Sequence, residues 1–332
     1  MDRQSFVRTL VPRFTSFRNV LPDTKTYTQT IEALSTDEVR NKLIIEDVKT
    51  VIEERRTPII LTNLTSHVRI LTGLLQPHAM HVVSLVGADS VKEKRIAMEK
   101  LTTVPSSESL VIVATGKYIG EGFDYPRLDT LFLALPISWK GNIAQYAGRL
   151  HRDYEGKNEV RIYDYVDIRI PICDSMYRKR LRGYASVGYS VTKPTGGSSV
   201  SKPELIYDGH TFSEPFHQDL LATKQSIVIS CQKIKFKYAP RLLYLLRDLM
   251  TNGIEVVVWV KEQGDSDQEL VAYGIDVQYD ETLSVQCAII DKSKVWYGSI
   301  NFFGYNTEEN NVIRIADSFI ANELLDVIYG RC

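Results

Sequence analysis

The densest set of groups able to bind phosphate lies between Gly141 and Arg152, in the run GNIAQYAGRLHR. Ile143, Tyr146, Ala147 and Leu150 recur at i, i+3, i+4 and i+7, which predicts one apolar face of a helix. Gln145, Arg149 and Arg152 then fall in a narrow arc on the opposite face, one amide and two guanidiniums projecting from a single rigid element. A guanidinium is planar and donates paired hydrogen bonds, which suits phosphate oxygens. The ordinary reading of such a row is a solvated polar face, and spacing alone does not displace it.

Upstream, an apolar run ends in Ala114-Thr115-Gly116-Lys117-Tyr118-Ile119-Gly120-Glu121-Gly122-Phe123-Asp124. Glycines at 116, 120 and 122 permit unusual backbone angles and close approach of another chain. The junction of a strand and its following loop is where parallel sheets bind ligands; the plain alternative is a strand and a turn. A third constellation comes late: Asp291, six residues, then Gly298-Ser299-Ile300-Asn301, after an apolar strand and before Phe302-Phe303.

The first two segments resemble motifs V and VI of superfamily-two helicases of the DEAD/DEAH type. Motif VI reads Q-x-x-G-R-x-x-R, matched by Gln145, Gly148, Arg149 and Arg152. Motif V is matched by Ala114-Thr115 and Gly122-Phe123-Asp124, and Pro58–Leu61 with Thr62 and Asn63 resembles motif IV. The likeness covers about residues 1–185, with three motifs in the right order on the right elements. It implies that Arg149 and Arg152 face the γ-phosphate of ATP held with Mg2+ mainly by a first lobe, one as an arginine finger worth about 10³–10⁵ in rate. It also implies that Gln145 orients them or the attacking water, that Asp124 meets the ribose and Gly122 the nucleotide edge. Thr115, and Thr62 or Asn63, would bond phosphates of DNA or RNA, contacts that carry no sequence information.

The third constellation resembles the second half of the phospholipase D signature, H-x-K-x4-D-x6-G-S-x-N, over about residues 205–332. Counting back from Asp291, the histidine position holds Ser284 and the lysine position Gln286. That family's histidine is the nucleophile; serine there has no adjacent base, and the pocket loses a cation. A degenerate domain kept for structure, or for holding nucleic-acid backbone, is the expectation, with Ser299 and Asn301 bracing a turn by hydrogen bonds.

The elements that must position these groups follow from periodicity. Helix patterns at Asp37–Glu54, Thr65–Leu75 and Lys92–Thr102 alternate with apolar strands at 58–62, 81–85, 109–114, 130–134 and 161–166, after a connecting strand and loops over 1–40. This predicts an α/β fold with a parallel sheet, a RecA-like lobe at 1–189. Residues 190–204, beginning SVTKPTGGSSVSKP, form the linker candidate. A second α/β domain fills 205–332, with strands at 226–231, 254–260, 285–291, 295–298 and 311–315, a helix at 239–250 and a last helix opening at Asp317.

The rest of the composition bounds the reading. The 332 residues suit two domains, and a net charge of −1 confines any nucleic-acid contact to local patches. Cys173, Cys231, Cys287 and Cys332 form no C-x-x-C pair, and His67, His78 and His81 lack metal-ligand spacing, so no metal site is expected and reduced thiols of a cytoplasmic protein are. No apolar run approaches 18 residues, so no membrane partner is expected. No P-loop occurs: Gly116-Lys117 lacks a glycine five residues earlier and is followed by Tyr118. Leu43-Ile44-Ile45-Glu46-Asp47 is the nearest approach to a magnesium-binding acidic strand and sits in a helix pattern. The chain opens as if mid-fold, so it is expected to be a fragment that neither hydrolyses ATP nor unwinds nucleic acid without the first lobe of its parent. By analogy, the domain pairing suggests a bacterial or phage-like repair, restriction or defence setting. Arg178–Arg182 reads either as a solvated helix end or a phosphate-tracking patch, and Trp139 as a packing or a base-stacking residue. The rival functions are a phosphodiesterase or nuclease, and a non-catalytic nucleic-acid-binding module.

Overall fold

A computed structural model describes residues 6–18, 26–120, 123–137, 142–192, 206–264 and 266–330. The chain divides into two compact units, Met1–Asp167 with Val187–Pro203, and Ile168–Ser186 with Glu204–Cys332.

In the first unit the elements run β1 (Val7–Phe14), α1 (Tyr27–Thr36), α2 (Glu38–Glu53), β2 (Pro58–Thr62), α3 (Thr65–Leu75), β3 (His81–Leu85), α4 (Val91–Thr103), β4 (Leu110–Thr115), α5 (Gly116–Gly120), β5 (Thr130–Leu133), α6 (Asn142–Leu150) and β6 (Glu159–Val166). After the helix α7 (Pro171–Ser186), β7 (Ser190–Val191) completes the sheet. Strand order is β3-β4-β2-β5-β6-β1-β7, parallel at every pairing. This is the parallel α/β lobe that the alternating pattern predicts. Strands β2 and β4 are buried along their whole length, as strands covered on both faces must be, which is why they read as unbroken apolar runs. Val48, Val51, Leu71 and Leu75 of α2 and α3 pack with Ile60, Val113 and Phe132 of the sheet.

From β2 the chain crosses to β3 on one side of the sheet, and from β5 to β6 on the other. Such a reversal opens a crevice at the carboxyl ends of the strands. Thr62 and Thr115 are register partners at that edge. Helix α1 stands where loops are expected from sequence. It is short, with only Ile31 and Leu34 as buried apolar residues, but Thr26 and Gln29 close a capping box at its start.

Arg40 of α2 fastens this edge. It is fully buried and reaches Asp167, just beyond β6, through Nε and Nη2 at 3.0 and 3.2 Å, while Nη1 donates to the carbonyl of Ala134 after β5. Thr15, after β1, donates to the same carboxylate at 2.6 Å. One ion pair thus joins the ends of three strands to a helix.

The second unit contains α7 and then β8 (Ile206–Asp208), α8 (Ser213–Leu221), β9 (Ser226–Cys231), α9 (Pro240–Thr251), β10 (Glu255–Val260), α10 (Asp267–Ala272), β11 (Asp276–Tyr279), β12 (Cys287–Ile290), β13 (Lys294–Gly298), β14 (Asn311–Ala316) and α11 (Ser318–Ile328). Its sheet is mixed, ordered β11-β10-β9-β12-β13-β14-β8, with β9, β10 and β11 parallel and the remaining neighbours antiparallel. Asp317 caps α11 as expected. Helix α7 differs from the sequence division at 189: its buried Asp174 accepts a hydrogen bond from the Tyr297 hydroxyl of β13, and Tyr177 stacks on the same ring, so it packs with the second sheet. Most of the linker candidate lies outside the described residues. Among those residues no helix is long and apolar enough to cross a membrane.

Candidate functional site

The glycine-rich segment begins as the short helix α5 and lies against α6. A side-chain carbon added at Gly116 would sit 2.6 Å from the Tyr146 hydroxyl oxygen and 3.5 Å from its ring. Tyr146, Ala147 and Leu150 are buried, so the apolar face expected of α6 is present. Overpacking a fixed contact costs typically about 1–3 kcal/mol. Gly116→Ala is therefore expected to destabilise the first unit by that order, and Tyr146→Phe in the same chain, by removing the clashing oxygen, to restore most of it. Thermal unfolding of the single and double variants measures this; a double variant no more stable than Gly116→Ala would disprove the contact.

The polar face is arranged differently from the sequence expectation. Gln145 is exposed and Arg149 half-buried on α6, but the helix ends at Leu150, and Arg152 lies in the turn beyond it. The three groups therefore do not share one rod. Lys157 ends the helix: its ammonium donates to the carbonyls of Leu150, Arg152 and Pro126 at 3.0, 2.8 and 2.5 Å. Burial and Arg56 lower its pKa, against Asp129 and Asp153, to about 8. Because Pro126 follows the segment carrying Asp124, one ammonium ties that segment to the arginine turn. Nε of Arg152 stands 3.3 Å from Asp124, each side chain about half exposed. Arg149 has its Nε buried with no hydrogen-bond partner among the described residues. The side chain of Ile143, Gly122 and Trp139 lie outside those residues.

At the strand ends the three candidate phosphate contacts separate. Thr115 is buried, and its hydroxyl accepts from the backbone of Gly87 at 2.9 Å. Asn63 is exposed and donates to the carbonyl of Pro136 at 3.2 Å, bridging the loops after β2 and β5. Thr62 is a correction. It has no exposure, and its hydroxyl lies 2.9 Å from Nδ1 of buried His67, whose Nε2 lies 2.9 Å from the Asn41 side-chain oxygen. Since that oxygen only accepts, Nε2 carries the proton and the Thr62 hydroxyl donates to Nδ1. Its hydrogen is spent inside the core rather than on a phosphate.

Burial, reinforced by Arg40, lowers the pKa of His67 to about 3, from an ordinary value near 6.5. Between those values the unfolded chain binds a proton that the folded chain does not. The stability this imidazole contributes is thus complete above pH 6.5 and lost as pH falls. At about 1.4 kcal/mol per unit, the loss between pH 6.5 and 5 is of order 2 kcal/mol. Urea unfolding at pH 7 and 5 should show this gap for the parent chain and a smaller one for His67→Gln; equal gaps would exclude His67 as the source.

In the second unit the residues of the half-signature serve turns. Asp291, at a left-handed φ of 51°, accepts from the backbone N–H groups of Lys224, Gln225 and Ser226 at 3.0, 2.7 and 3.1 Å. Burial raises its pKa, but the backbone N–H groups and Lys294 prevail and hold it below the usual carboxylate range. Ser299 Oγ accepts from the Asn311 N–H at 2.9 Å. Asn301 donates to the carbonyl of Lys233 and accepts from the Phe303 N–H. A side-chain carbon on Gly298 would fall 2.1 Å from the Asn311 carbonyl oxygen. Ser284 and Gln286 line a small cavity of about 130 Å3 with Arg178 and Lys261. Arg178 donates to the Ser284 carbonyl at 3.1 Å and pairs with Asp174 at 2.8 Å. Gln286 Oε1 is buried without a hydrogen-bond partner among the described residues.

The basic run at 178–182 is largely engaged: Arg178 as above, Arg180 buried over the Tyr177 ring, and Arg182 paired with Glu309 at 3.0 Å. Lys179 and Arg182 are the members of the run that remain exposed. Cys173, Cys231 and Cys287 are buried free thiols, and among the described residues no group of three His, Cys, Asp or Glu could hold a metal.

No family model matches the chain. It is similar to the Transcript termination protein A18 of cowpox virus (strain Brighton Red), 29% identical over 155 residues, 45% of this chain and 29% of that protein. The protein of the same name from fowlpox virus (strain NVSL) is 26% identical over 151 residues, 44% of this chain and 31% of that one. The chain thus spans about three tenths of the length of these curated relatives. Among solved structures, T4 UvsW matches 57% of this chain and 41% of its own at 18% identity, with a TM-score of 0.45. Domain 2 of the DEAD-box helicase Mss116p, bound to an RNA duplex, matches 57% and 66% at 13% identity and a TM-score of 0.38. Nuc, a phospholipase D family member from Salmonella typhimurium, matches 36% and 86% at 19% identity and a TM-score of 0.31.

Proposed function

We propose that this chain is the second motor lobe of an ATP-dependent nucleic-acid helicase or translocase, joined to a phospholipase-D-like domain that no longer cuts. The observation that carries the reading is the meeting of Arg152 with Asp124: the arginine segment and the glycine-rich segment converge on one exposed spot, as two halves of a nucleotide contact must. The similar poxvirus proteins are transcript termination proteins, which agrees with a nucleic-acid partner.

In this reading ATP and Mg2+ sit on a P-loop lobe of the parent protein, since the chain has no P-loop run of its own. Asp124 and Gly122 meet the nucleoside, Gln145, Arg149 and Arg152 the terminal phosphate, and Asn63 and Thr115 the backbone of DNA or RNA. The test is ATP turnover by the purified chain, alone and with the parent's P-loop lobe and single-stranded nucleic acid. Turnover is expected only in the mixture; steady turnover by the chain alone, or none in the mixture, refutes the proposal.

A second reading of the other unit is favoured by the cavity at Ser284 and Gln286: Lys261, and Arg178 paired with Asp174, line it where the signature's histidine and lysine are replaced, an arrangement suited to holding a phosphodiester rather than cutting it. Cleavage of nucleic acid without added metal would instead restore the phosphodiesterase alternative.

A further inference from the structure

Between Gln232 and Arg247 the sequence carries Lys233, Lys235, Lys237 and Arg241 and no acidic residue. The segment leads from β9 through a 3-10 turn at Phe236–Tyr238 into α9. None of these four cations has a carboxylate partner among the described residues. The end of the segment, Tyr238 to Leu242, lines a cavity of about 380 Å3, within the roughly 300–1,000 Å3 of ligand sites. Its floor includes the buried rings of Phe216 and Phe302, and Arg241 stands among its lining residues. Tyr238 and Tyr305 also line it, with ring centroids 5.4 Å apart and planes tilted by 53°. They remain 44% and 67% exposed, and the Lys237 ammonium stands 4.7 Å from the Tyr238 ring centre.

Two exposed tyrosine rings, over an apolar floor and next to a run of cations without carboxylate partners among the described residues, suit a ligand that is flat and aromatic at one end and anionic at the other. Single-stranded nucleic acid is such a ligand: bases stack on tyrosine while the backbone follows lysine and arginine. We propose that Tyr238, Tyr305 and this lysine-rich segment form a base-stacking site for single-stranded nucleic acid in the second unit, separate from the contacts proposed for the first. The proposal rests on the reading that the chain works on nucleic acid.

The test is binding of the full chain to a labelled oligothymidylate and to an abasic strand of the same length, by fluorescence anisotropy over a series of salt concentrations. Tyr305→Ala, at an exposed position, should weaken oligothymidylate binding about 5-fold or more and leave abasic binding unchanged. Lys235→Gln should weaken both and flatten the dependence of log K on log salt by about 0.7. If the parent chain binds both strands equally and Tyr305→Ala changes neither, the stacking site is refuted while the motor reading stands. If the parent chain binds neither strand, both fall.

Discussion

Replacing Arg149 or Arg152 by alanine is expected to reduce nucleic-acid-stimulated ATP turnover of the completed motor by about 10³–10⁵-fold for the residue that acts as the finger, with nucleic-acid binding nearly unchanged. The two arginines are held differently. Arg149 is rooted in α6, its Nε buried and without an acceptor among the described residues, so one of its donors is already desolvated before any anion arrives. Arg152 sits in the turn that Lys157 fixes and reaches Asp124 at 3.3 Å across an exposed position. A pair so exposed contributes at most about 1 kcal/mol, little against what a phosphate could offer, and Arg152 can exchange Asp124 for nucleotide. Lysine at either position should rescue poorly, because an ammonium lacks the planar fork. Single-turnover hydrolysis by the parent and the alanine and lysine variants decides the matter. Alanine variants that both stay within tenfold of the parent would end the arginine-finger assignment.

The largest stability effect is expected at Arg40. Arg40→Met leaves Asp167 fully buried without its cation and frees the carbonyl of Ala134. Removing one partner of a buried pair costs about 3–5 kcal/mol, whereas replacing both by apolar groups is often nearly neutral. Urea unfolding should therefore show a severe loss for Arg40→Met and a partial recovery for Arg40→Met with Asp167→Leu. A loss below 1 kcal/mol would mean that water reaches the carboxylate in the folded chain. The same variant should weaken the site, because Arg40 holds the segment after β5 whose Pro136 carbonyl Asn63 meets.

How far the sequence spoke depended on how local each signal was. Strands β2, β3, β4 and β9 and the start of α11 were legible because short, largely apolar runs and a capping aspartate act within a few residues. Helix α1 was not, since its apolar stripe is short, and neither was the true allegiance of α7, which Asp174 and Tyr297 decide across 123 positions. For the site, residue types were readable and geometry was not. Thr62 looked available because nothing nearby in sequence reveals that His67 takes its hydroxyl proton. Arg152 looked helical because i, i+3 spacing continues past Leu150, while the lysine that ends the helix lies five residues further on. The alternation of lysine with Ile234, Phe236 and Tyr238 is the visible signal behind the proposed stacking site, and the net charge of −1 conceals it.

Gly298 has a bearing on how fragments of this signature should be interpreted. The glycine admits the neighbouring strand, Asp291 closes a loop over three amides, and Ser299 and Asn301 tie down adjoining segments. All four would be demanded by the architecture even if no substrate had ever been hydrolysed. Where this tail occurs without its histidine, it testifies to a shape and is silent about cleavage, so searches for nucleases should weigh the positions of Ser284 and Gln286 above the better-preserved end.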